Sequence, residues 1–486
     1  MESADRGGDL RSWAEVDSFQ ASRDQTNVAA STGYRRILIV PPTAALPLVY
    51  GGSHEAFWAP IVGCFLLLTA LFIWLDRSFT VAVPSRRCRW FVMLLLLIPL
   101  LQIIPLPASW LRVLSPTRAA HLGQAGAVIG LGLFPNTLSY VPLNTLFQGL
   151  FWAFLAGFAL LLRGALEDRR TRIWYCNLLL AIGTLEACYG LLQVLIPSLG
   201  VLGDTAASSG FARGTFINRD HYAAYLGLLW PLLLGYVMSF PQAGADASRR
   251  RHANIQVMRE QTRHKQILFG FLIGLILLAL FFSASRGAIL SSMVAATLFV
   301  VLSGTRRRAA LAAVAGCWLV MLVYGGILGF DEIVARFNTL DTGAEGRFQI
   351  WREAWIQVSD HPLTGTGLGS FHEVYRIYQG HLPETMYTRH AHNDYLQLAA
   401  EIGLPAGIGV MLMIWACWWR SALRVFRTRF ACRPEQRYVA AGALAGTAAV
   451  LLHSWLEFNW QMAAIALQLV AGFVLIQTLS ADQPHA

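Results

Sequence analysis

The 486-residue sequence predicts an all-α, polytopic integral membrane protein with about twelve transmembrane helices and one large ordered outer loop. Three observations carry that prediction. Hydrophobic residues make up 55% of the chain and charged residues only 14%, whereas a soluble protein of two or more domains needs about a quarter of its residues charged to cover its surface. Apolar runs of roughly 17 to 25 residues, long enough to cross ~30 Å of hydrocarbon, recur from end to end. Arginines collect in short clusters between those runs.

The same arithmetic excludes other classes. The hydrophobicity excludes a disordered chain, and seven cysteines spread over 486 residues exclude a disulfide-built module. The net charge of +10 invites a nucleic-acid reading, but that needs basic patches with exposed aromatics on a soluble scaffold. No nucleic-acid partner is expected.

The apolar runs lie at about 37–53, 56–75, 90–106, 144–162, 173–195, 222–240, 267–283, 287–303, 309–329, 403–419, 438–455 and 460–478. The first is the weakest, because Pro41, Pro42 and Pro47 interrupt it. The chain divides into a tail at 1–34, helices one to nine at 35–329, a long loop at 330–402, helices ten to twelve at 403–478 and a short tail at 479–486. Residues 1–34 lack the pattern of a cleavable signal.

Orientation follows from the arginines. Linkers 76–89, 163–172, 241–266, 304–308 and 420–437 hold most of them and fall on one side when twelve spans alternate. That side is expected to be cytoplasmic, with both termini. The opposite, outer face receives 107–143, 196–221, the turn Ser283–Gly287, loop 330–402 and the turn Leu456–Asn459. All cysteines fall in spans or inner loops, so no disulfide is expected. Loop 330–402 is far longer than a connection needs, and aromatics such as Trp351, Trp355, Phe371 and Tyr375 supply surface to bury. A helix is predicted over 346–358, with Trp351, Trp355 and Val358 on one stripe. Gly365-Thr-Gly-Leu-Gly369 is a turn, lacking the strand of a dinucleotide fingerprint.

Four outer segments are rich in polar groups beside the bilayer: Arg213 to His221, Ser283 to Gly287, Glu345 to Trp351 and Arg389 to Leu396. Arg213, Arg219, Arg286, Arg347 and Arg389 lie on the face that arginines avoid, which makes each informative. Bland alternatives stand beside each. Arg286 can snorkel to headgroups, Arg347 can pair with Glu345, and His392 can cap an interfacial helix. Asn218, Asp220 and His221 can form a helix N-terminus. Glu186, the acid within the fifth span, can serve structure or titration; structure is the preferred role.

In order, these segments resemble the O-antigen ligase and Wzy-type polysaccharide polymerase family of bacterial membrane glycosyltransferases. The resemblance rests on Gly214-Thr-Phe-x-Asn218, Ser285-Arg286-Gly287, Gly346-Arg347-x-x-x-Trp351, Gly365-x-Gly-x-Gly-Ser-Phe371, His392-Asn393-x-x-Leu396 with Glu401 and Gly403, and His453-Ser-x-x-Glu457-Phe-Asn459. It runs from about Gly214 to Asn459, and residues 1–170 show only compatible topology. It implies transfer or polymerisation of a glycan from undecaprenyl pyrophosphate to a hydroxyl of lipid A core, a lipid-linked glycan or a protein, at the periplasmic face. It also implies Arg286, Arg347 and His392 as the catalytic set.

The residue chemistry fits. Guanidinium forks bind a leaving pyrophosphate bidentately, and an imidazole in an ordinary environment titrates near ~6.5, suited to taking a proton from a sugar hydroxyl. His390 is a rival base and, on a helix, would point to a different face. Arg213, Asn218, His221, His390, Asn393 and Glu457 are the candidate substrate-binding residues. Without an Asp-x-Asp pair or a His-Glu-x-x-His cluster, a metal-independent, inverting route with no cofactor is expected. The alternative from another class is a transporter or flippase for a lipid-linked glycan. It would gather ionisable groups near the midplane.

Overall fold

The computed structural model describes residues 36–53, 55–75, 86–129, 135–204, 210–240, 252–305, 344–380 and 388–481, with isolated positions between 308 and 319. Tail 1–34, nearly all of the span at 309–329, linker residues 76–85 and 241–251, and loop residues 330–343 and 381–387 lie outside the described residues.

Every regular element among the described residues is a helix. In chain order these are α1 (Arg36–Leu48), α2 (Glu55–Leu75), α3 (Arg86–Ile103), α4 (Ala108–Leu114), α5 (Pro116–Ile129), α6 (Pro142–Leu166), α7 (Arg169–Leu195), α8 (Arg219–Met238), α9 (His252–Phe282), α10 (Arg286–Ser303), α11 (Ala344–Asp360), α12 (Phe371–Tyr375), α13 (Asp394–Ile402), α14 (Leu404–Thr428), α15 (Pro434–His453) and α16 (Ala463–Ala481). Among the described residues, seven helices are long and apolar enough to cross a bilayer: α2, α6, α7, α8, α9, α10 and α14. Segments of α1, α3 and α16 are apolar but shorter. The chain is a multi-pass membrane protein. The outer stretch 107–143, expected as a plain connection, contains α4 and α5.

The centre of the bundle is the antiparallel pair α8 and α15. Nearly every α8 residue is buried. Helix α15, which begins with Pro434 at its first turn, is built largely of alanine and glycine. A Cβ on Gly446 would lie 2.2 Å from the Leu228 carbonyl oxygen, one on Gly442 2.2 Å from that of Pro231, and one on Gly235 2.1 Å from that of Tyr438. Small residues thus bring the two backbones together, the packing that replaces the hydrophobic effect between helices in lipid. It also explains why α15 does not stand out by hydropathy: it faces protein. Gly446→Ala should push a methyl into the Leu228 carbonyl and lower stability by roughly 1–3 kcal/mol, read as a fall in Tm of the detergent-solubilised protein.

At one end of the bundle the arginine-rich linkers meet. Arg169 bonds Glu435 at 2.6 Å, Arg36 bonds Asp168 at 3.1 Å, and Arg437 donates to the Ser303 carbonyl. Asp168 also caps α7, accepting from the amides of Arg170 and Thr171. The opposite end holds the start of α8, the start of α10, the end of α15 and the long loop.

The described residues of that loop pack around α11 and α13. Ile350, Ala354, Val358, Phe371, Tyr375, Ala391, Ala399 and Ala400 form its own small core. The predicted helix 346–358 is present within Ala344–Asp360, and two residues of the expected stripe meet the core: Val358 is buried in it and Trp351 packs against it. Trp355 is 54% exposed, and Ile350 and Ala354 complete the buried face instead. The Gly365 to Gly369 segment is a turn as expected, and it is buried: a Cβ on Gly367, at φ +109°, would lie 2.4 Å from Ser139 Oγ. Gln102 of α3 locks it by donating to the carbonyls of Thr364 and Glu401 and accepting from Leu368 N, each at 2.9 Å.

Candidate active site

The polar end is organised by the turn between α15 and α16. Its carboxylate, Glu457, is 1% exposed and takes two partners. One oxygen pairs with the Arg347 guanidinium near the start of α11; the other lies 3.1 Å from His392 Nδ1. Burial alone would raise the Glu457 carboxyl, but the His392 hydrogen bond and the Arg347 charge outweigh it and hold it at about 2. An ionised carboxylate only accepts, so His392 Nδ1 carries a proton and donates.

This depressed acidity is linked to folding. The bonds of Glu457 favour its charged form, so their contribution is fully present above pH 4.5, its ordinary value, and is lost as the pH falls toward about 2. The shift corresponds to on the order of 3 kcal/mol. Glu457→Gln should flatten the acid side of the thermal stability profile in that window; an unchanged slope would mean Glu457 is not the group responsible.

His390 and His392 do not share a helix. They lie in the bend before α13, and His392 adopts φ +49°, a left-handed conformation uncommon for a side chain larger than glycine. Both rings instead meet Phe458, His390 stacked at 4.2 Å and His392 edge-on at 4.9 Å. The His221 ring of α8 also meets Phe458, at 4.4 Å. Burial, with His221 and His392 nearby, pushes the His390 imidazole down to about 3, which weakens it as a proton acceptor at neutral pH.

Asn393 and Asn218 are used as caps. Asn393 accepts from Leu396 N at 3.0 Å and starts α13; Asn218 accepts from Asp220 N at 2.8 Å and starts α8. These caps are what place His392 and His221, each directly beside its cap or a turn from it, at the ends of their helices. Asp394, buried just after, accepts from Trp460 N at 3.0 Å, and its own amide donates to the Ser454 carbonyl at 3.0 Å. The loop carrying His392 is thereby tied to the turn carrying Glu457. Burial raises the Asp394 carboxyl well above its ordinary value.

Arg286 is exposed at the first position of α10, whose cap is Ser285. A Cβ on the next residue, Gly287, would lie 2.9 Å from the His453 ring, so Arg286 stands at the same end of the bundle as His453 and Glu457. Arg213 sits further out: its amide donates to Gln193 at 3.0 Å and its guanidinium to the Ile217 carbonyl at 3.2 Å. No described contact joins Arg213 or Asn218 to the Glu457 group. Glu186, the acid in α7, accepts from Thr215 N at 3.0 Å and lies 2.8 Å from Thr215 Oγ1. Gly214, at φ +55°, is required because a Cβ there would lie 2.2 Å from that carboxyl. The Gly214-Thr215 block is thus a clamp for Glu186.

Residues 271–411 match the family model described as O-antigen ligase. The chain resembles the O-antigen ligase family. Arg286, Arg347, His390, His392 and Asn393 fall inside the O-antigen ligase match, while Arg213, Asn218, His221 and Glu457 fall outside it. The two parts nevertheless share one site, since Glu457 bonds both Arg347 and His392. A comparison with curated proteins gave no match. Glycosyltransferase-type chemistry on a glycan at the membrane is what an O-antigen ligase resemblance supports.

Sequence reasoning placed Glu457 at the margin of the site and gave Phe458 no role. The signal for Glu457 was its spacing from His453 and its place in an outer turn; Phe458 stands in the same block, but nothing in the sequence showed that histidine rings would gather on it.

Proposed function

We propose that the protein transfers a glycan from undecaprenyl pyrophosphate to a hydroxyl of lipid A core or of a growing lipid-linked glycan. The chain crosses a bacterial inner membrane about twelve times, with both termini cytoplasmic and the site at the periplasmic face. The observation that carries this reading is the triad Arg347, Glu457 and His392, set at the bundle end opposite the arginine-rich linkers.

Glu457 holds His392 with Nδ1–H toward the carboxylate, which leaves Nε2 as the acceptor. The acceptor hydroxyl attacks the anomeric carbon of the lipid-linked sugar, and its proton passes to His392 Nε2. The new glycosidic C–O bond forms as the bond from carbon to the phosphate oxygen breaks, and attack from the opposite face inverts the centre. Undecaprenyl pyrophosphate leaves with the bonding electron pair. Arg286 and Arg347 take the charge that develops on it, and Glu457 balances the imidazolium that His392 becomes. Arg213, His221, His390, Asn218 and Asn393 belong to the surrounding substrate-binding region. Of these, Asn218 and Asn393 act through the helices they cap.

The test is reconstitution in vesicles with undecaprenyl-pyrophosphate glycan and a hydroxyl acceptor. A new glycosidic linkage, with free undecaprenyl pyrophosphate released in equal amount, is the expected result. Movement of the lipid-linked glycan across the bilayer with no new linkage would mean a transporter instead.

A further inference from the structure

Asn459 is fully buried at the hub of a second set of contacts behind Glu457. Its Oδ1 lies 3.4 Å from His221 Nδ1. Its Nδ2 lies 3.3 Å from His453 Nδ1 and donates to Ser454 Oγ at 3.2 Å. Because Nδ2 donates to Ser454 Oγ, the amide nitrogen lies on the side of Ser454 and His453 and the amide oxygen on the side of His221. That orientation is decisive for the two imidazoles. His221 Nδ1 faces an oxygen and must carry a proton, whereas His453 Nδ1 faces an N–H and must be bare.

A neutral imidazole bare at Nδ1 is protonated at Nε2. The edge of His453 that bears Nε2 lies against Gly287, where a Cβ would come within 2.9 Å of both Cδ2 and Nε2. Gly287 follows Arg286 directly, and Arg347 is close enough to act on His453 electrostatically. We propose that Asn459 is a positioning residue whose amide holds His453 with the proton on Nε2, so that His453 offers a neutral N–H donor beside Arg286 to an anionic oxygen of the pyrophosphate donor.

A neutral donor beside Arg286 supplies direction where guanidinium groups supply charge. Gly287 is required because any side chain there would cover the donor. The proposal rests on the pyrophosphate reading above for its ligand, but not for the tautomer.

Two measurements separate those parts. In protein labelled with 15N-histidine and held in nanodiscs, the His453 signals, assigned by their disappearance in His453→Gln, should show Nε2 protonated and Nδ1 bare. Asn459→Asp, which accepts from both rings, should move the His453 proton to Nδ1. Undecaprenyl pyrophosphate should bind His453→Leu roughly ten- to a hundredfold more weakly than wild type. His453→Gln keeps an N–H in a similar place and should bind within a few fold of wild type. A wild-type His453 protonated at Nδ1 overturns the role of Asn459 whatever the binding shows. The expected tautomer with wild-type affinity in His453→Leu overturns the donor role. Absence of undecaprenyl pyrophosphate binding to wild type, with the tautomer as expected, overturns the ligand assignment here and the pyrophosphate reading together, leaving the amide geometry standing.

Discussion

His392→Ala is expected to lower glycan transfer by about 10²–10⁴-fold while undecaprenyl-pyrophosphate glycan still binds. The loss follows from geometry. Ionised Glu457 accepts a hydrogen bond from His392 Nδ1–H, so the remaining ring nitrogen is the one available to accept a proton. Alanine removes that acceptor but not Arg286 or Arg347, to which the proposed mechanism assigns the anionic part of the donor. Single-turnover kinetics with bound donor lipid separates the two effects. His390→Ala is the matched control, since it removes a ring stacked on the same Phe458 whose burial makes it a weak base. If His390→Ala abolishes turnover and His392→Ala leaves it intact, the base is misassigned.

Arg347→Ala should cost roughly 10²–10³-fold in transfer, and Arg347→Lys should not restore it. Lysine keeps the charge but loses the planar fork that can serve Glu457 and a phosphate oxygen at once. The alanine variant carries a second liability: it strips one partner from a buried carboxylate, a change that costs about 3–5 kcal/mol when a buried pair is broken. The double variant Arg347→Ala with Glu457→Gln removes that orphaned charge. It should recover much of the lost thermal stability and none of the lost transfer. Recovery of transfer in the double variant would show that Arg347 only neutralises Glu457 and has no part in the reaction.

Much of the architecture was legible because the bilayer imposes a length on every apolar run. Helices α2, α6 to α10 and α14 lie close to the runs read for them, and the helix in the long loop was visible from its periodicity. Its inward face was legible in part: Val358 and Trp351 meet the core, whereas Trp355 is exposed, since helical spacing alone does not say where the edge of a buried stripe falls. Helices α4 and α5 were missed for a related reason, being short segments broken by prolines. The aromatic residues, glycine turn and caps of the long loop were each readable singly, yet nothing in their order showed that Gln102 of α3 would lock the turn.

The candidate site shows the same division. The sequence by itself determined that the protein is helical and multi-pass and where most of its described helices run, and it singled out the arginines and histidines proposed for the site, because hydropathy, charge asymmetry and local motifs are properties of neighbours along a chain. Only the tertiary structure decided that Glu457 joins Arg347 to His392 and that Phe458 gathers three histidine rings. Those contacts link residues up to 238 positions apart, as between His221 and Asn459. They depend on which helix ends meet, which is set by backbone-to-backbone packing of α8 on α15.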